Sequence, residues 1–196
     1  MKTFASLLIL IIILYSCSET KNVQPPTLRA TAAAGYSKLS PGSSWSGTIG
    51  GMLGAEVNFP FSGGSSLATG LNASFQGSKY EETYYNGRVN LLYINLPIMY
   101  AYQALNGLYA EIGIQPGLLV SAKDKYDGTS HNYKDAVKSF DLGIPVGAGY
   151  RFKNGIGVGV RVIPGVLNID DTGDKMRNFL GMLLVSYRFW KGKRHK

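Results

Sequence analysis

The chain has 196 residues, 25 of them glycine, with 12% aromatic residues, only 16% charged residues and a formal net charge of +8. The length suits one domain, and the single cysteine excludes an internal disulfide. The basic residues are scattered apart from the tail at 191–196, and no basic stripe is interleaved with aromatics, which argues against nucleic acid as a partner.

The first segment reads as an export signal. Lys2 precedes an apolar run from Leu7 to Tyr15, the arrangement of a positive n-region and an h-region. The run is shorter than the roughly 20 apolar residues of a spanning helix. Cys17 follows directly. "LYSC" resembles a bacterial lipobox, in which that cysteine becomes the lipidated first residue. Ordinary cleavage after Ser18, with Ser16 and Ser18 at the required spacing, reads equally well. Residues 1–17 are thus expected to be a signal peptide, and 18–27, with the Pro25-Pro26 pair, a short linker.

From residue 28 to 190 the apolar residues recur at period two, and no sustained helical spacing appears. Eight strands are expected, over about 28–39, 49–61, 67–78, 90–103, 108–123, 138–152, 155–168 and 178–190. The two parities differ in kind. In 138–152, Phe140, Leu142, Ile144, Val146 and Ala148 oppose Ser139, Asp141, Gly143, Pro145 and Gly147. In 155–168, Ile156, Val158, Val160 and Val162 oppose Gly155, Gly157, Gly159 and Arg161. A soluble barrel would carry Lys, Glu and Thr on its polar face. Here that face carries Gly, Ser, Asn and Gln, which suits the crowded interior of a narrow eight-stranded barrel, while Val and Ile suit lipid. The expected fold is an all-β, eight-stranded antiparallel up-and-down transmembrane β-barrel.

Every second strand ends in aromatics two apart on the lipid parity: Phe59/Phe61, Tyr100/Tyr102, Tyr150/Phe152 and Tyr187/Phe189. That is the pattern of an aromatic girdle at one membrane interface. The adjoining turns, "SGGSS", "ALNG" and "KNG", are short. The opposite connections at 40–47, 81–87, 124–136 and 170–178 are long. Short turns face the periplasm in outer-membrane barrels, so both chain ends, including the basic tail 191–196, are expected there. Pro97, Pro116, Pro145 and Pro164 fall about halfway along four consecutive strands. Proline gives no ladder hydrogen bond, so most are expected at β-bulges or where Asn95 or Gln115 reaches the freed carbonyl.

"YINLPIMYAYQ" (93–103), "GLYAEIGIQPGLLVSAK" (107–123) and the hairpin ending in "GYRF" (149–152) resemble the outer membrane β-barrel domain family of the Bacteroidetes, often called PorT-like. The closing "YRF" (187–189) looks like the aromatic-x-aromatic signal read by the barrel-assembly machinery. The resemblance implies an integral protein of the outer membrane of a Gram-negative bacterium, with outer membrane lipids as its surroundings. It implies no activity or surface ligand.

The polar parity also carries charge: Arg29, Glu56, Glu111, Asp141, Arg151, Arg161 and Arg188. Asp141 and Arg161, on neighbouring strands, should lie nearer the middle, and the others nearer the periplasmic end. Buried charges must be paired, so a lumen-plugging ion-pair network is expected. Ser130, His131 and Asp135 stand close in the longest loop, but neighbours in one loop are not a preorganised triad. No metal-ligand spacing appears, and no cofactor or enzymatic function is expected; an outer-membrane enzyme acting on lipid or peptide is the alternative. Trp45, Tyr84, Tyr85, Tyr126 and Tyr133, set among Ser, Gly, Asp and Asn, suit surface contacts by the long loops, and they suit plain solvated loops as well.

Overall fold

A computed structural model describes residues 24–40, 45–81, 86–126, 129–171 and 175–192. The expected signal peptide with Cys17, most of the linker, Tyr84, Tyr85 and the last four residues lie outside the described residues. Eleven strand segments form one antiparallel sheet: β1 (Thr27–Ser40), β2 (Trp45–Pro60), β3 (Ser65–Glu81), β4 (Asn86–Asn95), β5 (Ile98–Gln103), β6 (Leu108–Tyr126), β7 (Thr129–Asn132), β8 (Phe140–Gly143), β9 (Val146–Arg151), β10 (Ile156–Pro164) and β11 (Arg177–Lys191). They make eight crossings, because β4 with β5 is one and β7, β8 and β9 together are another. The last strand pairs with the first, Thr27 opposite Lys191 through Ser40 opposite Arg177. That pairing closes the ring and removes the sheet edges, as a lipid environment demands.

Parity is the main determinant of which side a residue faces. Along β10, Val158, Val160 and Val162 are exposed while Gly157 and Arg161 are buried. Along β11, Leu183 and Val185 point out, and Leu180, Met182 and Leu184 point in. The exposed apolar band includes Ile49, Leu53, Leu71, Ile112, Leu118 and Leu183. Such a surface is an aggregation hazard in water and the required outer face in lipid. The short turns match expectation. Gly107 and Gly155 hold φ of 97° and 96° in the β5–β6 and β9–β10 turns, where a side chain would be strained.

Three expectations need correction. The segments 90–103 and 138–152 are each interrupted, at Leu96-Pro97 and at Ile144-Pro145, and 155–168 ends as a strand at Pro164. The longest loop is partly strand: β6 runs on to Tyr126 and turns back as β7, pairing Lys123 with Asn132. The prolines do not sit at bulges. Register shifts fall at Leu28/Arg29, Gly47/Gly51 and Leu92/Tyr93, whereas pairing runs past the prolines with equal residue counts on both strands. The reason lies in the hydrogen bonds that remain. Leu96 N donates to Pro116 O at 2.9 Å, Gly113 N to Pro145 O at 3.0 Å and Ile144 N to Pro164 O at 3.0 Å. A two-bond pair thus keeps one bond at each site, and no extra residue is needed to hold the register.

The bulge opposite Leu92/Tyr93 leaves Val120 as the extra residue on β6. Beyond it the faces of β6 exchange. Ala122 is buried and Lys123 exposed, the reverse of what uninterrupted alternation predicts for Lys123.

Candidate functional site

The barrel interior gathers most of the buried polar chemistry, and glycines make room for it. A Cβ on Gly147 would lie 2.8 Å from Glu111 Oε1, one on Gly149 2.8 Å from Tyr109 Cε1, and one on Gly159 2.4 Å from the Tyr109 hydroxyl. The glycine rows of β9 and β10 are therefore the floor on which the Glu111 and Tyr109 side chains lie.

Arg161 is the centre of the charged layer, 2% exposed. Its Nε donates to Glu111 Oε1 at 2.8 Å, its Nη2 lies 2.7 Å from the same oxygen, and its Nη1 donates to Glu56 Oε1 at 3.1 Å. Glu111 also faces Arg151, Nη2 to Oε2 at 3.8 Å. Arg151 donates from Nη1 to Gln103 Oε1 at 3.3 Å and places its guanidinium carbon 4.0 Å from the centroid of the Tyr109 ring. A stacked, hydrogen-bonded guanidinium is the form in which a cation tolerates a low dielectric.

Not every candidate joins this layer. Asp141 and Arg161 lie on neighbouring strands, but Arg161 pairs with Gly147, six residues along from Asp141. Asp141 instead accepts from Asn178 Nδ2 at 2.7 Å and from Leu142 N at 2.7 Å. Arg188 sits at the rim and reaches the Lys153 carbonyl at 3.4 Å. Arg29 is buried opposite Glu56 in the β1–β2 register, yet makes no ion pair among the described residues.

Above the charged layer comes a neutral polar one. Asn95 Nδ2 donates to Asn72 Oδ1 at 2.8 Å and to Ser74 Oγ at 2.9 Å, and Gln76 Nε2 donates to Ser74 Oγ at 2.9 Å. The outermost layer is apolar, and parity reasoning missed it. Leu39, Tyr80, Val89, Leu91, Tyr93, Leu119 and Ala122 point in from the strands, and the connections add Val137, Ile169 and Met176. Trp45 and Tyr133, read from sequence as loop contact residues, pack against this cluster. The two connections are tied to each other: Lys138 N donates to Ile169 O at 2.7 Å and Asp171 N to Ala136 O at 3.1 Å. Isolated apolar residues inside otherwise polar loops, Val137, Ile169 and Met176, were the available signal.

The remaining candidates lie outside the lumen. Phe61, Tyr100, Tyr102, Phe152, Tyr187 and Phe189 are exposed, and Phe59 and Tyr150 are half-buried, all at the short-turn end. Tyr150 and Phe152 meet edge to face at 4.8 Å, and the Tyr100 hydroxyl lies 2.7 Å from Ser65 Oγ. Ser130 and His131 are both exposed on β7, where successive side chains point to opposite faces. His131 stacks on Tyr126, centroids 4.5 Å apart. No group of three or more potential metal-ligating side chains occurs among the described residues.

Residues 26–171 match the sequence profile of the outer membrane protein beta-barrel domain. No curated protein matches the sequence. Among solved structures, Neisserial surface protein A (NspA) is similar at 14% identity and a TM-score of 0.56, covering 86% of this chain and 100% of that one. The outer membrane enzyme PagL aligns at 18% identity and a TM-score of 0.47, over 81% of this chain and 98% of that one. The attachment invasion locus protein Ail of Yersinia pestis aligns at 15% identity and 0.45, over 85% and 99%. The likeness to NspA shows the fold alone.

Proposed function

Since the chain belongs to the outer membrane protein β-barrel domain family and is an integral outer membrane protein, we propose that it is a small non-porin barrel with a structural or surface-interaction role. The observation that carries this reading is the filled interior: a salt-bridged layer in the periplasmic half and an apolar layer in the outer half. Eight strands leave only enough space for side chains, and here two chemically different fillings lie in series. The aromatic residues at the short-turn end serve as the periplasmic interface girdle. The working surface is the outer face, built from the β6–β7 hairpin and the connections around Val137 and Ile169. The finer affiliation with PorT-like proteins, export by residues 1–17 with either fate of Cys17, and insertion by the barrel-assembly machinery belong to the same proposal. Outer membrane lipids are its surroundings, and nucleic acid has no place in it.

Catalysis is not part of the proposal. Ser130 and His131 diverge from adjacent positions of one strand, and His131 is engaged by Tyr126. Planar-bilayer recording tests the reading. The purified barrel should insert without stable conductance, and large steady currents from the monomer would overturn it.

A further inference from the structure

The charged layer does not balance. Three guanidiniums, those of Arg29, Arg151 and Arg161, are buried or nearly so in the periplasmic half of the lumen, against two carboxylates, Glu56 and Glu111. Arg161 takes both carboxylates, and Arg151 shares Glu111. Arg29 is left over: among the described residues neither carboxylate lies within ion-pair distance of it. Its cross-strand neighbour on β11 is another cation, Arg188. The next lumenal acid, Asp141, belongs to a higher layer, where Asn178 and the Leu142 amide hold it.

The polar groups around Arg29 are likewise unsatisfied. Thr27 and Thr31 flank it on the same face of β1, and Asn58 stands opposite Thr27 on β2. Thr27 Oγ1, Thr31 Oγ1 and Asn58 Oδ1 are buried without a hydrogen-bond partner, and their residues are only 6%, 4% and 6% exposed. The assignment of the Asn58 amide oxygen and nitrogen is interchangeable, so its nitrogen can donate from the same place. Water can satisfy hydroxyls and amides. It cannot neutralise a surplus cation held between low-dielectric walls.

We propose that this corner of the lumen is a binding site for a small soluble oxyanion, a phosphate or carboxylate group, that enters from the periplasmic mouth. Arg29 supplies the charge and a planar fork of donors, which matches two oxygens of such a group. Thr27 donates its hydroxyl to it, and Asn58, opposite Thr27 on β2, its amide. Arg188, partly exposed at the rim, draws the anion inward. The bound charge ties β1 to β2 and completes the neutralisation that Glu56 and Glu111 leave unfinished. The site needs no opening of the barrel through to the outer face.

The test uses the folded full-length mature protein in zwitterionic detergent, with arginine side-chain nitrogens labelled for NMR. Inorganic phosphate replaces chloride at constant ionic strength. A saturable shift of the Arg29 Nε signal is expected, absent in Arg29→Gln. Thr27→Val, which keeps the charge and the side-chain shape, should weaken binding roughly tenfold through one lost charge-assisted hydrogen bond. It serves as the second arm should Arg29→Gln fail to fold. No saturable shift at Arg29, or equal phosphate affinity in Thr27→Val, overturns the site.

Discussion

The two ends of the barrel solve opposite problems. In the short-turn half the inside is charged and the outside aromatic; Arg161 lies between Glu56 and Glu111, while Tyr100, Tyr102, Tyr187 and Phe189 face outward. In the outer half the inside is apolar, around Leu39, Leu91 and Ile169, and exposed cations such as Lys79, Lys123 and Lys125 stand on the strands. Charge needs partners where water is excluded and needs none where water is at hand. The filling at the short-turn end is therefore made by strands whose register is fixed, and this fixes the partners. The outer filling is made largely of undirected apolar contacts, so irregular connections can contribute to it.

That contrast can be broken from either end. The largest effect is expected at Arg161→Met, which leaves the buried Glu56 without its ion pair and Glu111 with only the 3.8 Å contact to Arg151, and should cost about 3–5 kcal/mol in reversible unfolding. Adding Glu56→Gln should restore part of the loss, since the unpaired carboxylate is its main cause, while Glu111 stays to pair Arg151. Next is Val160→Lys on the lipid face near mid-strand, at about 2–4 kcal/mol in folding from denaturant into bilayers. An unaffected Val160→Lys would reverse the assignment of faces. Gly157→Ala probes the other side of the same strand, where the new Cβ meets Ser186 Oγ at 2.6 Å; it should shift the unfolding midpoint down.

In the outer half, Val137→Ala removes two buried carbon groups from the plug. It should cost about 1.5 kcal/mol at about 0.8 per methylene, and speed proteolysis of the connection more than unfolding of the barrel. The smallest effect belongs to Lys79→Gln. The register sets Lys79 opposite Arg88 and Arg88 opposite Lys125. Relieving that like-charge row should stabilise by a few tenths of a kcal/mol, a gain that rising salt should erase.

The sequence made the crossings, the outward band and the charged residues legible, because alternation at period two survives any register as long as no bulge intervenes. Where Val120 bulges out, the rule failed for Lys123 and Ala122. Pairing within the lumen was less legible. Arg161 and Asp141 are near in sequence terms, yet stagger between strands separates them, and Glu56, three strands round the ring, arrives instead. Tyr109 and Glu111 explain the alternating glycines only once the ring is closed. The apolar plug was invisible to strand parity because part of it comes from connections with no periodicity at all.

A lumen sealed in series makes one position decisive. Met99 is fully buried on the lumenal face of β5, two residues from Ala101, which pairs with Glu111. In Met99→Cys, a membrane-impermeant maleimide added to both sides of the folded barrel should leave position 99 unmodified, as mass spectrometry reads it, until the protein is denatured. Cysteine at the fully exposed Leu105 of the β5–β6 turn gives the reference rate. Labelling of position 99 at a rate near that reference, with the barrel still folded, would contradict a closed interior.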